Sequence, residues 1–170
     1  AREIDEAKRN SRYLSGINLP RTMHATHDIA RALDGADQVY VAVPSKSARE
    51  TLKQIKPILA KTDAPIISLM KGVEKRTNLR MSEVIEQVLA CDRSRIAVVG
   101  GPNLAREVAL RQPAATVVAC RDESVARSIQ DVVEEMIAKH IPETAYAEQW
   151  DIDALQEGVR THLNLDLPVH

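Results

Sequence analysis

The sequence predicts an α/β domain with a doubly wound, parallel sheet, followed by a helical C-terminal segment. Short, almost uninterrupted apolar runs alternate with stretches whose apolar residues recur at helical spacing, as a parallel sheet with crossover helices requires. The runs themselves, such as residues 38–43 (QVYVAV), lack the in-and-out alternation of a one-sided sheet and read as strands covered on both faces. From about Asp122 the pattern changes to long helix.

Residues 1–9 read as a charged, exposed helix, and a chain that opens inside such a pattern reads as part of something longer. Residues 10–20 (NSRYLSGINLP) are loop, punctuated by Gly16 and Pro20. Thr26 or Asp28 is placed to cap a short helix through Leu33, which Asp34-Gly35 ends. The first strand, 38–43, closes at Pro44-Ser45, and Ser45 or Ser47 caps a helix over 46–59. Residues 66–70 (IISLM) form the second strand, ended by Lys71-Gly72. Over 81–89, Val84, Val88 and Leu89 fall on one face of a helix that Ser82 can cap. Residues 95–99 form the third strand, 104–110 a helix and 114–120 the fourth strand. Over 124–140, Val125, Ile129, Val132, Val133, Met136 and Ile137 mark the apolar face of a long helix, broken at Ile141-Pro142. Asp153 and Gln156 have capping-box spacing for a second helix through about Leu163, and 164–170 trail off as loop.

A length of 170 residues suits one domain, or one domain with an appendage. Apolar residues at 44% allow a real core, yet with no Phe it must be built from Val, Ile, Leu and Ala. The net charge of −1 hides an asymmetry. Residues 1–128 hold 21 basic and 15 acidic side chains, a balance of +6, whereas 129–170 hold 2 and 9, a balance of −7. A shift that abrupt points to two units of different role. The basic residues are scattered and no aromatic stacking platform accompanies them, so nucleic acid is not implied. No apolar run approaches the ~18 residues of a membrane span, and no signal peptide is visible at the start. Cys91 and Cys120 form neither a metal-ligand spacing nor a disulfide framework, so a reducing, cytoplasmic setting is expected. His24, His27, His140, His162 and His170 show no grouping that would hold a metal. No Ser/His/Asp set can be proposed; Glu134-Glu135 reads as a solvated helical face and Trp150 as a packing anchor.

Chemistry in an open α/β sheet is done at the carboxyl ends of strands. The stretch Val98-Val99-Gly100-Gly101-Pro102-Asn103 lies at one such end, between strand and helix. Two glycines there permit a sharp turn and close approach to a ligand, Pro102 pre-sets φ for a first helical turn, and free N–H groups at the helix start suit an anion. The same turn also serves as plain connection. Lys71, at the end of the second strand beside Gly72, is placed to hold a phosphate or a cofactor oxygen, or is an ordinary solvated lysine. Asn103, in the first turn of the following helix, is a phosphate donor or a cap. Pro44-Ser45 lies at a third strand end, as nucleotide lining or as turn.

NSRYLSGINLP, THDIARAL, VAVPS, ISLMKGVE, RMSEVI, VVGGPNLAREVA and PAATVVAC, in this order, resemble successive segments of bacterial-type NAD(P)-dependent glycerol-3-phosphate dehydrogenase. The resemblance covers roughly residues 1–127 and implies a partial Rossmann-like, NAD(P)-binding domain. It implies that Lys71 contacts both NAD(P) and the phosphorylated triose, glycerol 3-phosphate or dihydroxyacetone phosphate. It further implies that Gly101 and Asn103 line the substrate site and that Ala105 approaches the cofactor. Where the family turn opens Ser-Gly-Pro, this chain has Gly100. The family's first strand, its G-x-G-x-x-G turn and the helical domain bearing the acid/base lysine are not found in these 170 residues, so no catalytic residue is named.

DVVEEMIAKHIPETAYAEQWDIDALQEGV and NLDLPV, within residues 129–169, resemble the helical scaffold region of SecA, the preprotein translocase ATPase, without its nucleotide-binding motifs. The expected division is therefore 1–127 and 128–170. The leading expectation is a fragment of an oxidoreductase that interconverts sn-glycerol 3-phosphate and dihydroxyacetone phosphate, inactive as this chain alone. The alternatives are a helical scaffold or interaction module, or a chimeric chain with no evolved function. Without the family's first strand, residues 39–43 would leave an uncovered sheet edge, a route to self-association.

Overall fold

The computed structural model describes residues 1–110, 112 and 115–138, with the side chains of the last helix as far as Glu134. Four strands form one sheet in the order β1 (Val39–Val41), β2 (Ile66–Ser68), β3 (Ile96–Gly100) and β4 (Val117–Cys120). The first three are parallel; Val39 pairs with Ile66, and Ile66 with Ile96. With a side-chain period of two, this register puts Val39, Val41, Ile66 and Ile96 on one face and Ile67, Ala97 and Val99 on the other. The first face is covered by α3 (Ser45–Leu59) and α4 (Met81–Leu89), through buried Ala48, Leu52, Ile55 and Leu59, and Met81, Val84, Ile85, Val88 and Leu89. The second is covered by α6 (Glu123–Ala138), whose Ile129 and Val133 pack against Ile67, Ala97 and Val99. Helices thus lie on both faces of a Rossmann-like sheet. β1 stands at its edge, paired only with β2 among the described residues.

The fourth strand departs from the all-parallel expectation: β4 runs antiparallel to β3, with Gly100 opposite Val117 and Ala97 opposite Cys120. A parallel return needs a crossover that carries the chain back to the other end of the sheet. Among the described residues between β3 and β4 the only helix, α5, is the single turn Ala105–Ala109, which buries no residue, and the chain descends antiparallel to β3.

The shorter elements follow their end signals. α1 (Arg2–Ala7) buries nothing, and α2 (Ile29–Leu33) is capped by Asp28, whose carboxylate accepts from the Ala30 and Arg31 N–H groups. Neither Ser45 nor Ser47 caps α3; Pro44 holds that position, and the Ser47 hydroxyl donates to its carbonyl at 3.0 Å. Ser82 does not cap α4 either. Arg80 holds that position, two residues earlier than expected, and its N–H donates to Glu83 Oε2 at 2.9 Å. A 3-10 turn over Arg93–Arg95, capped by Asp92, introduces β3. The long helix begins at Glu123, capped by Asp122, whose carboxylate accepts from the Ser124 and Val125 N–H groups. Val132, expected on its apolar face, is 36% exposed. α6 also runs without a break across the expected boundary at 127/128. Ala114, the side chains of Met136 and Ile137, His140, the break at Ile141-Pro142, Trp150 and the helix from Asp153 lie outside the described residues. Among the described residues no helix is long and apolar enough to cross a membrane.

Candidate functional site

The parallel register aligns three strand ends. Val41 lies beside Ser68 and Ser68 beside Val98, so the loops that follow β1, β2 and β3 leave the same end of the sheet side by side. Leu69 N–H donates to the Val41 carbonyl at 3.0 Å and extends this alignment one residue past β2. Pro44 stands in the first loop, Lys71 in the second, and Gly101 and Asn103 in the third, with Ala105 at the first position of α5.

Lys71 and Gly72 are exposed, between Met70, which is buried in the core, and Glu74. Gly72 has φ +89°, a left-handed value that a residue with a Cβ adopts only under strain. Glu74 is the fixed point of this loop. Its carboxylate accepts two parallel bonds from Arg49 of α3, Nε to Oε1 at 2.8 Å and Nη2 to Oε2 at 2.9 Å. Thr77 donates to Oε2 at 2.5 Å, and Arg49 Nη2 also reaches Gln87 Oε1 of α4 at 2.8 Å. Arg49 first, then Thr77, holds the Glu74 carboxyl down to about 2, well below its ordinary range. Sequence spacing gave no sign of this cluster, because Arg49 and Glu74 are 25 residues apart and meet only when α3 and the loop pack.

The Gly-Gly-Pro turn differs from its expectation. α5 begins at Ala105, with Leu104 as cap, so Pro102 and Asn103 precede the helix and do not form its first turn. A single five-residue turn also lacks the aligned peptides that make a longer helix N-terminus attractive to an anion. The close approach that Gly101 permits is to the protein itself. Its φ is +120°, and a Cβ there would lie 2.6 Å from the Ala115 carbonyl oxygen. Gly100 is different, with no atom within 4 Å of a Cβ. Asn103 N–H donates to the Gly101 carbonyl at 3.0 Å and Nδ2 reaches the Gly100 carbonyl at 3.4 Å, which folds the turn back on itself. Asn103 is half-buried and Ala105 exposed.

Lys71, Gly101 and Asn103 therefore stand on two neighbouring loops at the carboxyl end of the sheet, with Ala105 opening the helix that follows the second. What they offer is one exposed cation beside a turn nearly free of side chains. Three open grooves elsewhere on the surface are not lined by any of the four. The one between α4 and β4 is flanked by Arg80, Arg93 and Arg121, but Arg80 is paired with Glu83 and Arg93 with Glu86, so it is a solvated ion-pair network more than an anion site. Cys91 and Cys120 are both free thiols; burial pushes the Cys91 thiol up, and the Cys120 thiol donates to the Ser94 carbonyl.

Residues 1–126 match the family described as NAD-dependent glycerol-3-phosphate dehydrogenase N-terminus. A glycerol-3-phosphate dehydrogenase [NAD(P)+] of Leifsonia xyli subsp. xyli is 54% identical over 129 residues, 76% of this chain and 35% of that protein. The protein of the same name from Corynebacterium glutamicum (strain R) is 49% identical over 133 residues, 78% of this chain and 40% of that protein. The chain thus spans well under half the length of either relative. Among solved structures, glycerol-3-phosphate dehydrogenase from Coxiella burnetii superposes with a TM-score of 0.67 at 28% identity, covering 80% of this chain and 39% of that one. A pyrroline-5-carboxylate reductase from the same organism, at TM-score 0.51 and 21% identity over 85% of this chain and 54% of that one, shares the fold alone.

Proposed function

This chain belongs to the family of NAD-dependent glycerol-3-phosphate dehydrogenase N-terminal domains, and from that premise we propose that its strand-end loops form the part of a dehydrogenase site that holds a phosphorylated triose against the nicotinamide end of NAD(P). The whole enzyme would interconvert sn-glycerol 3-phosphate and dihydroxyacetone phosphate with NAD(P)+ and NAD(P)H as the redox pair. When bound, the nicotinamide supplies the hydride acceptor. Lys71 contacts the cofactor and holds the triose phosphate as an ammonium point charge, Gly101 and Asn103 line the triose, and Ala105, with only a methyl group, lets the cofactor come close.

The observation that carries this reading is the placement of Lys71, exposed on a loop clamped through Glu74, beside the Gly101–Asn103 turn at the carboxyl end of a parallel sheet. These residues fit the phosphate and nicotinamide end of such a site. They do not provide a pyrophosphate cradle, since no G-x-G-x-x-G turn occurs in the 170 residues. Neither hydride nor proton transfer is therefore assigned to this chain by itself, and it should show little or no turnover. The test is a fluorescence titration of NADH with the chain and with Lys71→Ala. Saturable binding weakened about tenfold or more by the substitution, the worth of a charge-assisted hydrogen bond, supports the reading. Equal binding by the two proteins contradicts it, and dihydroxyacetone-phosphate-dependent NADH oxidation by the chain contradicts the expected lack of turnover.

A second reading, self-association, is favoured by the place of β1 at the sheet edge, where its outer backbone groups have no strand partner among the described residues. Light scattering would then report a mass that rises with concentration, and a constant monomer mass would dismiss it. For residues 128–170, whose sequence resembles a SecA scaffold segment, the proposed role is that of a scaffold or protein-interaction module; among the described residues of this stretch, Ile129 and Val133 pack beneath the sheet.

A further inference from the structure

We propose that Glu74 is a positioning residue for anion binding: through its clamp to Arg49 and Thr77 it fixes the backbone that carries Lys71 and leaves the Lys71 ammonium uncompensated. This rests on the reading of Lys71 as the phosphate-holding cation.

The segment 69–80 between β2 and α4 would be a loose loop if held only at its ends. It is held in the middle instead. On one side of Lys71, Met70 is 8% exposed in the core and its N–H donates to the Ser68 hydroxyl at 3.3 Å. On the other side, Glu74 is tied to α3 through Arg49 and, by way of Arg49, to Gln87 of α4. Only Lys71, Gly72 and Val73 span the two anchors. Beyond Glu74 the loop is closed on itself, with Glu74 N–H donating to the Leu79 carbonyl at 2.9 Å, Asn78 N–H to the Glu74 carbonyl at 2.8 Å, and a bridge pairing Val73 with Arg80.

Charge acts separately from the tether. A carboxylate three residues from a lysine is a ready internal partner for it. Both oxygens of Glu74 are already taken, Oε1 by Arg49 and Oε2 by Arg49 and Thr77. Among the described residues Lys71 forms no ion pair, so its charge is free for an incoming phosphate. A cation already ordered and unpaired binds its anion without first losing a competing partner or freezing a loop.

The test is calorimetric titration of sn-glycerol 3-phosphate into the chain and into Glu74→Gln, Lys71→Ala and the double variant, with amide exchange read at Gly72 and Val73. Glu74→Gln should raise Kd about three- to tenfold, the span expected when one or two groups must be ordered on binding. It should speed exchange at Gly72 and Val73 while β2 stays protected, and it should add nothing in the Lys71→Ala background. Glu74→Asp should restore part of the affinity. An unchanged Kd for Glu74→Gln, or a penalty that persists in full without Lys71, overturns the proposal and leaves the Lys71 reading standing. No binding by the unmodified chain, or equal binding by Lys71→Ala, overturns both. If Glu74→Gln fails to fold, Thr77→Val, which removes one bond and no charge, decides by the same criteria with a smaller effect.

Discussion

Gly100 and Gly101 are adjacent and chemically identical, yet alanine should act on them with opposite sign. At Gly101 two penalties coincide. A φ of +120° is a region that a residue with a Cβ occupies only at about 1–3 kcal/mol. The new Cβ would also lie 2.6 Å from the Ala115 carbonyl oxygen and 3.3 Å from the Thr116 Cα, both backbone atoms that cannot swing aside. Displacing the segment that leads into β4 is an overpacking strain of about 1–3 kcal/mol. Gly101→Ala should therefore lose about 2–6 kcal/mol, a large part of the ~5–15 kcal/mol that holds a domain folded. Gly100→Ala meets no atom within 4 Å and an ordinary φ, so it should gain about 0.4–1 kcal/mol by restricting the unfolded chain. Urea denaturation followed by far-ultraviolet circular dichroism gives both values, as midpoint shifts in opposite directions at a common slope. Equal midpoints for the two variants would refute the close passage of the turn over the start of β4.

Two further perturbations probe the clamp and the last helix. The Glu74 carboxyl lies at about 2 in the folded chain against an ordinary 4.5, so its contribution is full above 4.5 and is lost as pH falls toward 2. Glu3, Asp5, Glu83, Asp92 and Asp122 are lowered too and act with the same sign. Melting temperature should fall on acidification through that window, and less steeply in Glu74→Gln; parallel curves would count against the clamp. Ile129, fully buried beneath the sheet, should lose about 2–5 kcal/mol on truncation to alanine. Val132, 36% exposed, should change by no more than about 0.5 kcal/mol. Similar values for the two, by chemical denaturation, would mean that α6 is not docked as described.

How far the fold could be read from sequence depended on whether each cue was local. α4 runs over Met81–Leu89 as expected, because its apolar residues keep a strong helical period and bury that face. The strands were legible as apolar runs, but an apolar run carries no direction, and the reversal of β4 comes from the shortness of α5. The same shortness moved Asn103 off a helix and into a turn held by its own contacts to Gly100 and Gly101. Lys71 could be picked out because a lysine beside a glycine at a strand end is a local pattern. The Arg49–Glu74–Gln87 cluster could not, because it joins α3, a loop and α4 only after they pack.

Backbone amide resonances followed during titration with NADH show whether the loops after β2 and β3 act as one ligand-binding unit. Saturable shifts should centre on Lys71, Gly72, Gly101, Asn103 and Ala105, share one dissociation constant, and weaken together in Lys71→Ala. Shifts absent from those residues, or centred on the arginine-flanked groove between α4 and β4, would contradict such a unit.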